Sequence, residues 1–182
     1  MKTEEIVIAD PDPYALGAAI EEALAERLDV RVEAITDPKA TQSASETELA
    51  SDLITAADWI AEALRSSGYE ADFSLSSARA IEQFVRDQTD GHGRPFEDGL
   101  LGDDLGSRVF ALGAYLGEVL VRNVGGEWIT DDRDPEGEVN VAVRLWDGTE
   151  FWPVQRVINR LSEGETESLS AYVSVIARQV RR

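Results

Sequence analysis

Apolar side chains return every three or four residues in several stretches of this chain, the spacing of an α-helix with one buried face. The clearest stripe is Leu49, Leu53, Ile54, Ala57, Ile60, Ala61 and Leu64, which predicts a helix over 46–66 ending at Ser67-Gly68. Residues 13–28 (PYALGAAIEEALAERL) place Ala, Leu and Ile at the same spacing behind a first-turn proline and predict another. Ile81, Phe84 and Val85 mark the apolar face of a helix over 76–88, with Ser76 or Ser77 as its cap. The most apolar stretch, LGSRVFALGAYLGEVLVRNVGGEW at 105–128, predicts a helix over about 103–123 closed by Gly125-Gly126. PVQRVINRL after Pro153 and SLSAYVSVIARQV supply the last two helices; Arg178, Arg181 and Arg182 then fall in a final turn, where cations suit the helix dipole.

Alternation replaces this period at 139–146 (VNVAVRLW). Asp147-Gly148 and TEFW follow, and an Asp-Gly pair between β-prone runs is a hairpin signal. The fold predicted is α+β: helices packed around a small antiparallel sheet of 127–130, 138–146 and 149–152. An acidic helical N-terminal region, 1–70, is expected either packed on the α+β domain, 71–182, as one compact unit or loosely attached to it. DVRVEAIT at 29–36 reads as a short strand and 36–46 as a loop.

Three glycines, Gly106, Gly113 and Gly117, sit inside the most apolar helix. Each costs up to ~1 kcal/mol relative to alanine in a helix interior. The pattern predicts that a neighbouring element comes too close to the backbone for a Cβ. A membrane dimer motif is the wrong reading of the Gly113/Gly117 pair, because Arg108, Glu118 and Arg122 share the helix.

Charge narrows the partners. The net charge is −19; residues 1–104 hold 24 acids against 8 bases (−16), and residues 105–182 hold 12 against 9 (−3). Such a surface repels phosphate backbones and anionic lipid, which argues against nucleic acid and membranes and for either simple solubility or a basic protein partner. No run of eighteen apolar residues occurs, and the N-terminal MKTEEIVIADPDP lacks a signal-peptide core, so a cytoplasmic location is expected. The absence of cysteine fits that compartment and removes thiolate metal sites and cysteine nucleophiles.

Candidate chemistry is sparse. Tyr115, Glu118 and Arg122 are spaced to project from about one helix face, either as a polar cleft or as a surface ion pair beside a core tyrosine. His92, the single histidine, lies in a Gly-His-Gly loop, and one histidine excludes a multi-histidine zinc site. The acidic loop at 131–138 resembles the start of a calcium loop, but its twelfth position is Val143 rather than glutamate. Trp128, Trp146 and Trp152 are expected in the core, with a stacking surface as the sharper alternative. No phosphate cradle, metal motif or cofactor motif is present, so no cofactor is expected.

Gly113, Tyr115, Gly117, Glu118, Gly125, Gly126 and Trp128, with the strand pair and the Pro153 helix, resemble a pattern found in uncharacterised bacterial domains of unknown function, over roughly 77–176. The resemblance implies one compact C-terminal domain and brings no activity or ligand. Two functional classes follow from the residues. The first is a non-catalytic interaction or regulatory module for a basic partner, in the manner of an immunity protein. The second is a small-molecule-binding protein or hydrolase using Tyr115, Glu118 and His92. The binding set expected is Tyr115, Glu118, Arg122, Trp128 and His92, and homo-oligomerisation stays open.

Overall fold

The computed structural model describes residues 48–134 and 136–180. The helix and strand expected within 13–36 lie outside the described residues. In chain order the elements are α1 (Glu48–Ser66), a 3-10 turn (Leu75–Ser77), α2 (Ala78–Gln88), α3 (Leu105–Val124), β1 (Glu127–Ile129), a one-turn α4 (Gly137–Asn140), β2 (Ala142–Arg144), β3 (Glu150–Phe151), α5 (Pro153–Glu163), a second 3-10 turn (Gly164–Thr166) and α6 (Leu169–Val180).

The α+β expectation holds, with α3 at the centre. Every residue from Val109 to Leu120 is buried. A helix apolar on all sides must be surrounded, and here α1 and α5 pack most extensively against it, with α6 on a further side. Gly113 and Gly117 explain how. A Cβ at Gly113 would lie 2.6 Å from Val154 Cα in the first turn of α5, and one at Gly117 would overlap the Trp128 ring. The glycines let α5 and β1 sit against the α3 backbone, as their spacing predicts.

The sheet is an antiparallel meander in the order β1-β2-β3. Trp128 pairs with Val143, and Val143 in turn with Phe151. The β2–β3 turn closes through the Leu145 amide donating to the Thr149 carbonyl (2.8 Å) and the Gly148 amide to the Leu145 carbonyl (2.9 Å), with Gly148 at φ 85°. That left-handed φ is the reason a glycine follows Asp147.

Three expectations need correction. The strand expected over 138–146 begins only at Ala142, its first residues forming α4. The β1 ladder ends at Ile129, so a longer β2 has no partner; Asp134 instead binds the Glu136 amide (2.9 Å) and the Asn140 side chain (3.0 Å), closing a turn. The cap at α2 is also displaced. Ser77 stands at the N-cap without a side-chain cap bond, while the Ser74 hydroxyl accepts from the Ser77 amide (3.3 Å) at the preceding turn. Third, Trp128 is in the core, but Trp146 is 75 % exposed and Trp152 43 %. Trp146 sits just past β2 at the hairpin and lies over Gly125, where a Cβ would overlap its indole.

Candidate functional site

Glu118, Arg122 and Trp128 are brought together. Trp128 Nε1 donates to Glu118 Oε1 (2.9 Å) and Arg122 Nε to Glu118 Oε2 (2.7 Å), while Arg122 also reaches Asp58 on α1 (3.2 Å). The ion pair of the i,i+4 spacing is present, but Glu118 is not a surface residue: it is 6 % exposed. Its carboxylate ties β1 to α3, and Arg122 carries the tie on to α1.

Tyr115 joins this set through Phe73. The Tyr115 and Phe73 rings stack with centroids 4.6 Å apart, and the Arg122 guanidinium lies 3.7 Å from the Phe73 centroid. Phe73 has φ 60°, a conformation that a bulky residue adopts only when its surroundings hold it. They do so: its amide donates to the Tyr115 hydroxyl (3.0 Å), and its carbonyl accepts from Asn123 (2.7 Å). The Tyr115 hydroxyl donates to Ser77 Oγ (2.7 Å), which donates to the Ser74 carbonyl (2.6 Å). Burial raises the phenol above its usual value, outweighing its hydrogen bonds with Ser77 and with the Phe73 amide, which act the other way, so Tyr115 stays a neutral donor. Phe73, Asp58 and Ser77 are not legible as members of this set in the sequence because they come from separate segments, whereas Asn123, on α3 itself, is one that sequence reasoning misses.

His92 stands elsewhere. It is exposed, its amide donates to Asp90 Oδ1 (2.8 Å), and its loop rests on α5, where a Cβ at Gly93 would overlap the Leu161 carbonyl. Among the described residues no hydrogen bond, ion pair or ring contact joins it to Tyr115 or Glu118.

Since Trp128 Nε1 needs only an acceptor, Glu118→Gln is expected to keep the fold. It should lower stability by about 1–2 kcal/mol, the scale of a charge-assisted hydrogen bond. A thermal melt checks this, and an unchanged midpoint would mean that the carboxylate charge contributes nothing.

The acidic loop builds a second locus. Asp132 reaches back to α1, its carboxylate accepting from the Glu48 amide (3.1 Å) and the Leu49 amide (3.3 Å). It supplies the N-terminal cap of a helix that begins 84 residues earlier. Asp131 binds Arg133, and Asp134 holds the turn before α4. These carboxylates face amides and an arginine, and among the described residues no group of three or more His, Cys, Asp or Glu could hold a metal ion. Glu48, Asp52, Asp132, Asp134 and Glu138 nonetheless converge. Asp52 is raised above its usual value by burial first, then by Glu48 and Asp132; Glu138 is raised by burial first, then by Asp134 and Asp52.

A third feature has no counterpart in the expected sites. Glu82 on α2 receives Arg160 Nε (3.1 Å), the Ser168 hydroxyl (2.9 Å) and the Ser170 amide (3.0 Å), and Arg160 is 1 % exposed. A glutamate between Ile81 and Phe84, on an otherwise apolar face, is the sequence signal that could have flagged it.

The class these features define is an α+β fold of helices around a small three-stranded sheet, with a buried polar tie at its centre and an acidic face at one end. Comparison with protein-family models, curated proteins and solved structures finds no match to the chain. Among the described residues, no helix is long and apolar enough to cross a membrane.

Proposed function

We propose that the chain is a cytoplasmic, non-catalytic interaction module that binds a basic protein partner, as an immunity-like neutraliser or regulator would. Its contact surface is the acidic face formed by the start of α1 and the 131–138 loop. The observation that supports this reading is the crowding of Glu48, Asp52, Asp132, Asp134 and Glu138: among the described residues, the charges that shift Asp52 and Glu138 are other carboxylates. Folding alone does not need such repulsion, and a cationic surface would relieve it. The candidate catalytic groups favour the same reading. Both Glu118 oxygens and the Tyr115 hydroxyl are engaged in internal hydrogen bonds, as a packing role requires.

The test compares the wild-type chain with the Glu48→Gln/Asp52→Asn/Glu138→Gln variant, which spares the Asp132 cap and the Asp58–Arg122 pair. Proteins captured at low salt are identified, and their association rates are measured against ionic strength. The wild-type rate should fall by about tenfold or more as the Debye length shrinks to ~8 Å near 0.15 M salt, and the neutralised variant should start slow and change little. A rate independent of salt, equal in the two proteins, would overturn the proposal.

A further inference from the structure

The sheet keeps one face for the core and offers the other to solvent. Trp128, Val143 and Phe151 stand opposite one another across the strands and are buried, so Glu127, Arg144 and Glu150, one step along each strand, share the outer face. Trp146 and Trp152 follow two positions beyond Arg144 and Glu150 on that face, 75 % and 43 % exposed. Trp146 is seated rather than loose. It lies over Gly125, where a Cβ would overlap the indole. The charges around the rings say what covers them. Arg144 already binds Glu150 through Nε and Nη2 (2.7 Å each). Glu127, across from Arg144, has no ion pair among the described residues, and neither has Asp147, next to Trp146 in the turn. Three carboxylates thus stand against one guanidinium beside two open indoles. Cations are drawn to carboxylates and to the face of an indole alike, and arginine serves both, because its planar fork stacks on the ring while it bonds the acid.

We propose that this outer sheet face docks an extended, arginine-bearing segment of a basic protein. The inference rests on the basic-partner reading above and adds a second contact to the acidic face. Spacing makes it specific. Glu127 is the diagonal cross-strand neighbour of Trp146, about 7–8 Å away. Glu150 precedes Trp152 by two positions, about 7 Å along the strand. Each indole therefore has a carboxylate within reach of an arginine stacked on it. The ladder carried one step further sets Trp152 across from Ala142, four residues or about 13 Å before Trp146. An extended chain covers that distance in four residues and returns its side chains to one face, so arginines at i and i+4 meet one indole each.

Two end-blocked peptides of one composition test the spacing: TRVTVRT, with arginines at i and i+4, and TRVTRVT, with arginines at i and i+3 and so on opposite faces of a strand. Each is titrated into the full-length protein while the indole Nε1–H NMR signals are followed. TRVTVRT should move the Trp146 and Trp152 signals saturably and leave that of buried Trp128 in place. It should bind about fivefold more tightly than TRVTRVT, the scale of one exposed cation–π contact. Trp146→Ala should weaken it about fivefold, Glu127→Gln about threefold, and TQVTVQT, without the cations, should leave the signals still. The Glu48→Gln/Asp52→Asn/Glu138→Gln variant should keep the Trp146 and Trp152 shifts. Equal affinity for the two spacings, or shifts lost in that acidic-face variant, would overturn the proposal. So would cellohexaose moving the same signals while TRVTVRT does not, which would assign the face to a carbohydrate. If the peptide fails while association with a captured partner still falls with salt, the acidic face binds without the sheet, and the sheet proposal alone is overturned.

Discussion

Replacing Arg160 with methionine is expected to destabilise the fold by about 3–5 kcal/mol, the usual cost of leaving one partner of a buried ion pair alone. Arg160 is almost wholly enclosed, and Glu82, its partner on α2, is 8 % exposed. The same carboxylate holds the Ser168 hydroxyl and the Ser170 amide at the start of α6. One group therefore links α2, α5 and α6, and removing its counter-charge strands a buried anion at that junction. Calorimetry should place the transition on the order of 10 °C lower for a loss of this size, and a midpoint within error of wild type would show that the pair contributes nothing net. Acid should act on the same contact. Burial by itself raises Glu82, but the Ser170 amide, the Ser168 hydroxyl and the Arg160 charge together bring it below its ordinary value of 4.5. A carboxylate lowered in the folded state contributes stability that is present above pH 4.5 and lost as pH falls through the folded value. The wild type should weaken across that acidic window, and Glu82→Gln should lack this component of the slope.

Gly113→Leu carries the second large effect. The new Cβ would sit 2.6 Å from both the Cα and a side-chain methyl of Val154, and 2.9 Å from its amide nitrogen. Backbone cannot step aside as a side chain can, so α5 must move off α3. Overpacking of this kind costs about 1–3 kcal/mol, and more where the backbone shifts. Gly117→Ala should also destabilise, through a different group: its methyl overlaps the Trp128 ring, and displacing the indole pulls Nε1 away from Glu118. In an exposed helix both substitutions would stabilise by up to ~1 kcal/mol, because glycine is the poorer helix former. A melting temperature equal to or above wild type in either variant would therefore place the glycines at a surface.

Much of this architecture is legible in the sequence, for a local reason. Periodicity of 3.6 or 2 residues, a proline at a helix start and an Asp-Gly turn act within a few residues of one another. The helices at 48–66, 105–124 and 153–163 and the hairpin at Asp147-Gly148 therefore stand close to where the pattern puts them. The glycines in the most apolar helix are of the same kind, since a residue that costs stability locally announces a compensating neighbour. The i,i+4 pair of Glu118 and Arg122 is local too.

Meetings between distant residues follow from the packing of the fold. Glu82 and Arg160 are 78 positions apart, and Asp132 caps a helix that starts 84 positions before it. No window of sequence contains both members of either pair. The burial of Glu118 depends on where Trp128 arrives from β1, and Phe73 holds its strained backbone only because Tyr115 and Asn123 of α3 lie against it. Packing likewise left Trp146 and Trp152 exposed and carried His92 to the end of α5, away from Tyr115 and Glu118. Local periodicity and composition set most of the elements and the charge of the surface; which polar groups were buried together depends on where the chain returns, and that is a property of the fold.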